Sequence, residues 1–167
     1  MELLDRLDAH DQIRMLAARY ALALDSRDVA TLVSLFVDDV QTGDGGVGHE
    51  ALARWFDPVL RPYSTTFHLI GNHVIDLQDD DHATGVVYCR PEHEVGDLWV
   101  VMPMQYWDRY ERVSGRWCFA QRRPHSWYYT DWAHPPVGPL KMRVPGQEPQ
   151  AASLPGAWPS WNTFWAA

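Results

Sequence analysis

The first part of the chain carries apolar residues at the spacing of amphipathic helices. Ile13 and Tyr20 belong to an apolar stripe that recurs every three to four residues. This period predicts a helix from Asp8 to about Arg27, which Asp8 or Asp11 would cap at its start. Two shorter helices are predicted farther along, over the segments VATLVSLF and HEALARWFDPVL.

After residue 64 the pattern changes to runs of β-branched and aromatic residues separated by turn signals. Four consecutive strands are predicted, over TTFHLIGNHVIDLQ, HATGVVYCRPEHE, DLWVVMPMQYWDRYERV and GRWCFAQRRPHSWYY. Their short connections favour antiparallel pairing. We therefore expect an α+β domain over residues 1–130. In it a curved antiparallel sheet of about four to six strands, with the helices packed on one face, forms a cone-shaped barrel with an internal pocket.

The remaining segment, residues 131–167, differs from the rest of the chain in its composition. It holds most of the prolines and is rich in tryptophan. We expect an extended arm that packs through its aromatic side chains on the domain or on a neighbouring subunit.

Composition narrows the class of ligand. A net charge of −8 argues against nucleic acid and against an anionic membrane surface, because both require clustered cations. Nine Trp, seven Tyr and five Phe predict an aromatic cavity or interface in addition to a core. No apolar run is long enough to span a membrane, and the acidic N-terminus lacks signal-peptide features, so a cytoplasmic protein is expected. Cys89 and Cys118 are expected to be buried and unpaired.

Two histidines in the first predicted strand raise the question of chemistry. His68 and His73 differ in parity, so a regular strand places them on opposite faces and they cannot bind one metal ion. A bulge at Gly71 would restore a common face. No HExxH motif or compact ligand cluster accompanies them, so we expect no metal centre. From the pattern alone, each histidine is either a half-buried structural residue or a catalytic base.

The first helix ends on a carboxylate, Asp25, at the edge of the apolar stripe. It is either solvated or tucked at the mouth of the pocket, where it would orient an imidazole and stabilise its protonated form. Tyr20 lies in the middle of the same stripe, and a buried phenol needs a hydrogen-bond partner.

The order of these features resembles a known family. The helix with its terminal Asp, the second helix, the His-bearing strand and the hairpin YWDRYERVSGRWCFAQRRPHSWYY resemble the SnoaL-like branch of the nuclear transport factor 2-like superfamily over about residues 5–130. Within that branch the chain looks most like the cofactor-free lyases scytalone dehydratase, bile acid 7α-dehydratase and hexachlorocyclohexane dehydrochlorinase.

The resemblance implies roles for several residues. Asp25 and His68 fall on the positions of a dyad in which the histidine removes a substrate proton. Tyr20 matches the tyrosine of the bile acid enzyme, and Arg122 aligns with the arginine of the dehydrochlorinase.

One position departs from the pattern. Where the bile acid enzyme has a further catalytic aspartate, this chain has Pro91, which leaves Glu92 or His93 as substitutes. His93 is favoured, because scytalone dehydratase uses a second histidine in that region.

The resemblance predicts a cofactor-independent lyase, a dehydratase or dehydrohalogenase acting by general-base elimination on a bulky apolar small molecule. A polyketide cyclase or isomerase uses similar residues, and the same fold serves as a non-catalytic dioxygenase subunit or a binding module. Contact between Asp25 and His68 in a closed pocket would favour the enzyme. We expect the substrate to contact Trp55, Tyr88, Met104, Tyr106, His125 and Trp127.

The lyases of this branch are trimers, which predicts a homo-oligomer, with a trimer favoured over a dimer. An apolar outer face of the sheet would need cover, and three strand residues share the required parity: Trp99, Val101 and Trp107.

Overall fold

The computed structural model describes residues 2–166, except for the side chain of Phe164. Three helices come first and a short fourth helix lies near the C-terminus: α1 Leu3–Asp25, α2 Val29–Ser34, α3 His49–Leu60 and α4 Pro159–Trp165. Six strands lie between α3 and α4: β1 Thr65–Leu77, β2 His82–Val95, β3 Leu98–Val101, β4 Met104–Val113, β5 Arg116–Ser126 and β6 Thr130–Asp131. Within the described residues, no helix is long and apolar enough to cross a membrane.

The first helix begins earlier than its apolar period predicts. It starts at Leu3, so the prediction that Asp8 or Asp11 caps it is wrong. Asp8 instead lies inside the helix and accepts a hydrogen bond from the Gln12 amide at 2.7 Å, a pair of side chains one turn apart.

The sheet is antiparallel and is organised around β2. One edge of β2 pairs with β1. The other edge pairs with β4 along its first half and with β3 along its second half. β5 extends the sheet beyond β4, and β6 extends it beyond β3.

The third predicted strand is divided into β3 and β4. Pro103 has no N–H to donate to a ladder, and the preceding Met102 N–H donates to the Pro91 carbonyl at 3.0 Å. The chain therefore changes course between the two halves of β2. This division and the short β6 together give six strands where four were predicted individually.

The helices cover one face of the sheet, which we call the inner face. α1 packs on β1 and β5. Its buried residues Ile13 and Ala17 join a core that includes Val87 of β2 and Phe119 of β5. The α+β class, with N-terminal helices packed on an antiparallel sheet, is confirmed. Cys89 and Cys118 are free and buried, as predicted.

The opposite, outer face of the sheet leaves apolar side chains in solvent. Phe67, Leu69 and Val74 of β1 are 51%, 53% and 57% exposed, and Trp99 of β3 is 40% exposed. Val101, which was expected to share this exposed surface, is only 3% exposed.

The C-terminal arm packs on the domain near the end of β5. The Leu154 N–H donates to the Ser126 carbonyl at 3.0 Å, and Leu154 is buried. The ring centroids of Trp158 and Trp127 lie 5.0 Å apart in an edge-to-face contact. Aromatic packing of the arm is thus present within a single chain.

Candidate active site

A cavity of about 570 Å³ lies between the helices and the inner face of the sheet. Its walls are mainly aliphatic and aromatic, with Leu24, Phe36 and Phe56 among them. The polar side chains that reach it include Tyr20, Tyr63, Thr66, His68, His93, Gln121 and Arg122. An apolar cavity of this size with a few polar groups is typical of small-molecule sites.

A bulge in β1 places both of its histidines on the inner face. Ile70 pairs with Cys89, whereas His73 pairs with Val87, so β1 advances three residues while β2 advances two. The extra residue falls at Gly71–Asn72, and it corrects the expectation for a regular strand that His68 and His73 face opposite sides.

A shared face still leaves the two histidines far apart. His68 lies opposite Pro91 and His73 lies opposite Val87. Four residues of β2 correspond to about 13 Å along the strand. Metal–nitrogen bonds are about 2 Å long, so the two rings cannot bind the same ion.

Asp25 and His68 form a hydrogen-bonded dyad at the wall of the cavity. His68 Nδ1 lies 2.6 Å from Asp25 Oδ1, and the His68 backbone N–H donates to Asp25 Oδ2 at 2.8 Å. The His68 side chain is 5% exposed and that of Asp25 is 24% exposed. An ionised carboxylate only accepts, so in the neutral ring Nδ1 carries the hydrogen and Nε2 has the lone pair.

The carboxylate of Asp25 is held in its ionised form. Burial by itself would raise its pKa, but hydrogen bonds from the His68 ring, the His68 backbone N–H and the Thr66 hydroxyl outweigh burial. The pKa of Asp25 therefore lies below its ordinary value of 3.8. At neutral pH this residue is a fixed negative charge against the imidazole, and it stabilises that ring when it takes up a proton.

His93 brings a second imidazole to the same wall. The centroid of its ring lies 4.4 Å from the centroid of the Tyr63 ring and 5.4 Å from that of the His68 ring. His93 is 3% exposed, and neither ring nitrogen has a hydrogen-bond partner among residues 2–166. Burial and then the neighbouring charge of His68 lower the pKa of His93 to about 4. His93 is consequently a neutral donor and acceptor at physiological pH.

The other predicted substitute at this position, Glu92, belongs to the opposite face. Its carboxylate accepts from Trp99 Nε1 at 2.8 Å and lies 3.1 Å from Arg90 Nε. Strand alternation thus places His93, and not Glu92, beside His68.

Arg122 is a buried cation in an aromatic enclosure. Its guanidinium donates to both oxygens of Asp108, at 2.9 and 2.7 Å. The guanidinium carbon lies 4.1 to 4.3 Å from the ring centroids of three aromatic residues, Tyr20, Tyr106 and Phe119. Burial would lower the pKa of Arg122, but the charge of Asp108 and its hydrogen bonds raise it above the ordinary value. Nη1 is buried and has no partner within the part of the chain that the structure describes.

Asp108, which was not among the predicted site residues, binds Arg122 and is linked to His73 through the Tyr110 hydroxyl. Its Oδ2 accepts from the Tyr110 hydroxyl at 2.8 Å, and that hydroxyl lies 3.0 Å from His73 Nε2. Burial lowers the pKa of His73 to about 4. Asp108 lies between Tyr106 and Tyr110 on the inner face of β4. A charged residue at a position where the strand otherwise places aromatic side chains could have indicated from the sequence that Asp108 has a buried partner.

The structure gathers some of the expected substrate contacts and not others. Trp55, Met104 and Tyr106 line the cavity, whereas Tyr88, His125 and Trp127 are not among its lining residues. Tyr88 lies between two buried residues of β2 and is 37% exposed on the outer face. The other two contact tryptophan rings instead, His125 that of Trp107 and Trp127 that of Trp158.

The strongly lowered pKa values of His73 and His93 predict acid sensitivity. In the unfolded chain each titrates near its ordinary value of 6.5, whereas the folded values are about 4. As the pH falls through this window the unfolded state binds protons that the folded state does not, so the free energy of unfolding decreases. Replacing His93 by Phe, which keeps a ring against Tyr63, should weaken this pH dependence.

Urea unfolding at about pH 7 and about pH 5 measures the effect. The same replacement at the exposed His134 controls for the loss of a histidine. An unaltered pH dependence in His93→Phe would contradict the prediction.

Comparison with solved structures places this arrangement among related folds. LinA is 26% identical with a TM-score of 0.73, over 83% of this chain and 99% of that chain. Hexachlorocyclohexane dehydrochlorinase LinA-type3 from Novosphingobium barchaimii is 24% identical with a TM-score of 0.71, over 86% and 99%. A proposed scytalone dehydratase from Novosphingobium aromaticivorans is 21% identical with a TM-score of 0.70, over 88% and 100%.

Other similar structures are proteins of unknown function, and a search of curated proteins found no significant match. The fold is therefore one that dehydratases and dehydrochlorinases share with proteins of unassigned role. The family of SnoaL-like domains matches residues 5–123, which is most of the chain. The protein belongs to this SnoaL-like family, within the nuclear transport factor 2-like superfamily.

Proposed function

We propose that this protein is a cofactor-independent lyase in which His68 removes a carbon-bound proton from a bulky, mainly apolar small molecule. The observation that carries the proposal is the 2.6 Å contact between His68 Nδ1 and Asp25 at the wall of a 570 Å³ cavity. A non-catalytic dioxygenase subunit or a pure binding module has no use for a paired imidazole and carboxylate in that place.

The proposed reaction is an elimination across two adjacent carbons. His68 Nε2 accepts the proton from one carbon, and the electron pair of the broken C–H bond forms the new double bond. The leaving group departs from the second carbon with its bonding electrons, and a hydroxide takes up a proton from solvent and leaves as water. Asp25 stabilises the imidazolium that forms, and the proton returns to solvent after product release.

Two residues that line the cavity, Arg122 and His93, carry unpartnered polar atoms, and these favour an oxygenated substrate. Arg122 Nη1 is a buried donor, and the His93 ring is a donor and an acceptor, all without partners among the described residues. Leaving such a group unsatisfied costs about 1–3 kcal/mol. Carbonyl and hydroxyl oxygens satisfy these groups well, whereas carbon-bound chlorine is a poor acceptor. We therefore favour dehydration of a hydroxy carbonyl compound over dehydrohalogenation. Isomerisation or cyclisation of such a compound would use the same base.

A comparison of two probes tests the proposal. The aldol adduct of benzaldehyde and acetone is a β-hydroxy ketone whose dehydration gives an enone with strong ultraviolet absorbance. A polychlorinated cyclohexane reports dehydrohalogenation through chloride release. Turnover or exchange of the ketone's α-protons in D₂O, dependent on His68, is the expected result. Chloride release without action on the ketone would reject the dehydratase assignment. If the wild-type protein acts on neither probe, the result would count against a lyase that accepts bulky apolar substrates of either kind.

Replacing Asp25 by Asn tests the dyad. The amide keeps the size of the side chain but does not stabilise an imidazolium, so kcat on the β-hydroxy ketone should fall about 10²- to 10⁴-fold. The exposed pair of His82 and Asp79, with its ring nitrogen 2.9 Å from the carboxylate, offers a matched control. Asp79→Asn should leave kcat unchanged, and equal effects of the two substitutions would contradict the assignment.

We also propose that the chain forms a homo-oligomer, with a trimer favoured over a dimer, through the outer face of the sheet. Phe67, Leu69 and Val74 form an exposed apolar surface on β1, and such surfaces on soluble domains commonly mark interfaces.

A further inference from the structure

Arg27, two positions after the end of α1, adopts an unusual backbone conformation. The Asp28 N–H bonds to the Ala23 carbonyl at 2.9 Å, and the Arg27 N–H bonds to the Leu24 carbonyl at 3.2 Å. This is the Schellman pattern, in which glycine normally occupies the left-handed position. Here the position belongs to Arg27, with φ of 60°. A side chain in this conformation costs roughly 1–2 kcal/mol, so its presence calls for a compensating interaction.

The Arg27 guanidinium supplies that interaction by joining α1 to the start of β1. Nη1 donates to the Leu24 carbonyl at 2.8 Å and to the Thr66 hydroxyl at 2.7 Å, and Nη2 donates to the Tyr63 carbonyl at 2.9 Å. Thr66 is 39 residues away in sequence and is buried. The left-handed turn therefore directs the side chain back beneath the end of the helix.

The contact from Arg27 determines the direction of the next hydrogen bond. The Thr66 hydroxyl accepts from the guanidinium, which itself has no acceptor, so the hydroxyl's single hydrogen is free to be donated. Its bond to Asp25 Oδ1 is 2.8 Å long, and Oδ1 is the same oxygen that accepts from His68 Nδ1. Arg27, Thr66, Asp25 and His68 thus form one chain of directed hydrogen bonds.

We propose that Arg27 and Thr66 are positioning residues that hold the Asp25 carboxylate in the orientation that selects the Nδ1–H tautomer of His68. The inference rests on the proposed function, in which His68 Nε2 must present a lone pair to the cavity. Without the Thr66 hydrogen bond, Oδ1 loses one of its two donors and the carboxylate can rotate about its Cβ–Cγ bond. The tautomer with hydrogen on Nε2, which cannot accept a proton from the substrate, then becomes populated.

Thr66→Val tests this directly, because valine keeps the shape of the side chain and removes the hydroxyl. The fraction of Nε2–H tautomer is read from imidazole ¹⁵N resonances of the full, ligand-free chain, with those of His68 identified by their absence in His68→Ala. We expect that fraction to rise at least several-fold. On the β-hydroxy ketone we expect kcat to fall about 10- to 100-fold with little change in KM, because the defect is one of orientation.

Three further variants separate positioning from general structure. Thr66→Ser restores the hydroxyl and should restore the tautomer. Thr65→Val, on the outer face, removes only a hydrogen bond to Glu94 in solvent and should change neither measurement. Arg27→Gly suits a φ of 60° and preserves the turn, so a raised Nε2–H fraction in this variant reports the lost guanidinium.

The results distinguish this proposal from the proposed function. Wild-type tautomer fractions in both Thr66→Val and Arg27→Gly would overturn the positioning role, whatever their stabilities, and would show that the contacts only fasten α1 to β1. The tautomer measurement needs no substrate. Full turnover by His68→Ala would instead overturn the lyase mechanism.

Discussion

Replacing His68 by alanine is expected to lower kcat on the β-hydroxy ketone about 10²- to 10⁴-fold, the contribution typical of a positioned general base. The variant loses the imidazole that lies against Asp25 through Nδ1 and lines the cavity. The aromatic walls remain, so binding of the ketone should change little. Steady-state kinetics measures kcat, and fluorescence titration with the enone product measures binding.

Two variants make this result interpretable. His68→Gln keeps a donor for Asp25 without a basic nitrogen, and it should be as inactive as His68→Ala if proton abstraction is the lost function. His82→Ala removes an exposed histidine that is also paired with an aspartate and should retain full activity. Unchanged kcat in both His68 variants would exclude this residue as the base.

Among the substitutions proposed above and below, removal of the Asp108 carboxylate is expected to lower the free energy of unfolding the most. The Asp108 side chain is fully buried and that of Arg122 is 4% exposed, with 2.7 Å between Nη2 and Oδ2. Asp108→Ala leaves a buried guanidinium without its counter-ion and the Tyr110 hydroxyl without its acceptor. Breaking a buried pair in this way costs about 3–5 kcal/mol, which urea unfolding followed by circular dichroism can measure.

An ion pair of the same length at the surface provides the control. Arg61 Nη2 lies 2.7 Å from Asp57 Oδ1, with both side chains more than half exposed. Asp57→Ala should change the free energy of unfolding little, because water screens the charges. Combining Asp108→Leu with Arg122→Met should recover most of the loss, since an apolar pair leaves no buried charge. A cost for Asp108→Ala no greater than for Asp57→Ala would contradict the prediction.

The order of elements was accessible from the sequence because each depends on local pattern. The stripe that contains Tyr20 predicted the first helix, although not its start at Leu3, where exposed leucines extend it beyond the buried stripe. The runs of β-branched and aromatic residues predicted the sheet. Pro103, inside the third run, carried the information that this run divides, since proline interrupts a ladder.

The positions of side chains on the sheet were only partly predictable. Alternation separates Glu92 from His93, but only the pairing of β2 shows which of them faces the cavity. The bulge at Gly71 reverses the alternation of β1. A glycine marks where such a bulge is allowed without showing that it forms, because the register depends on the partner strand.

The sequence by itself determined the fold class, the resemblance to SnoaL-like domains, and the two residues of the dyad. Only the tertiary structure decided what surrounds them: the Arg27–Thr66 contact that directs Asp25, the Asp108 carboxylate that accompanies Arg122, and the unpartnered nitrogens of His93. The physical reason is sequence distance. His68 is 43 residues from Asp25. A hydrogen bond of under 3 Å between them forms because the fold brings the end of α1 to the beginning of β1.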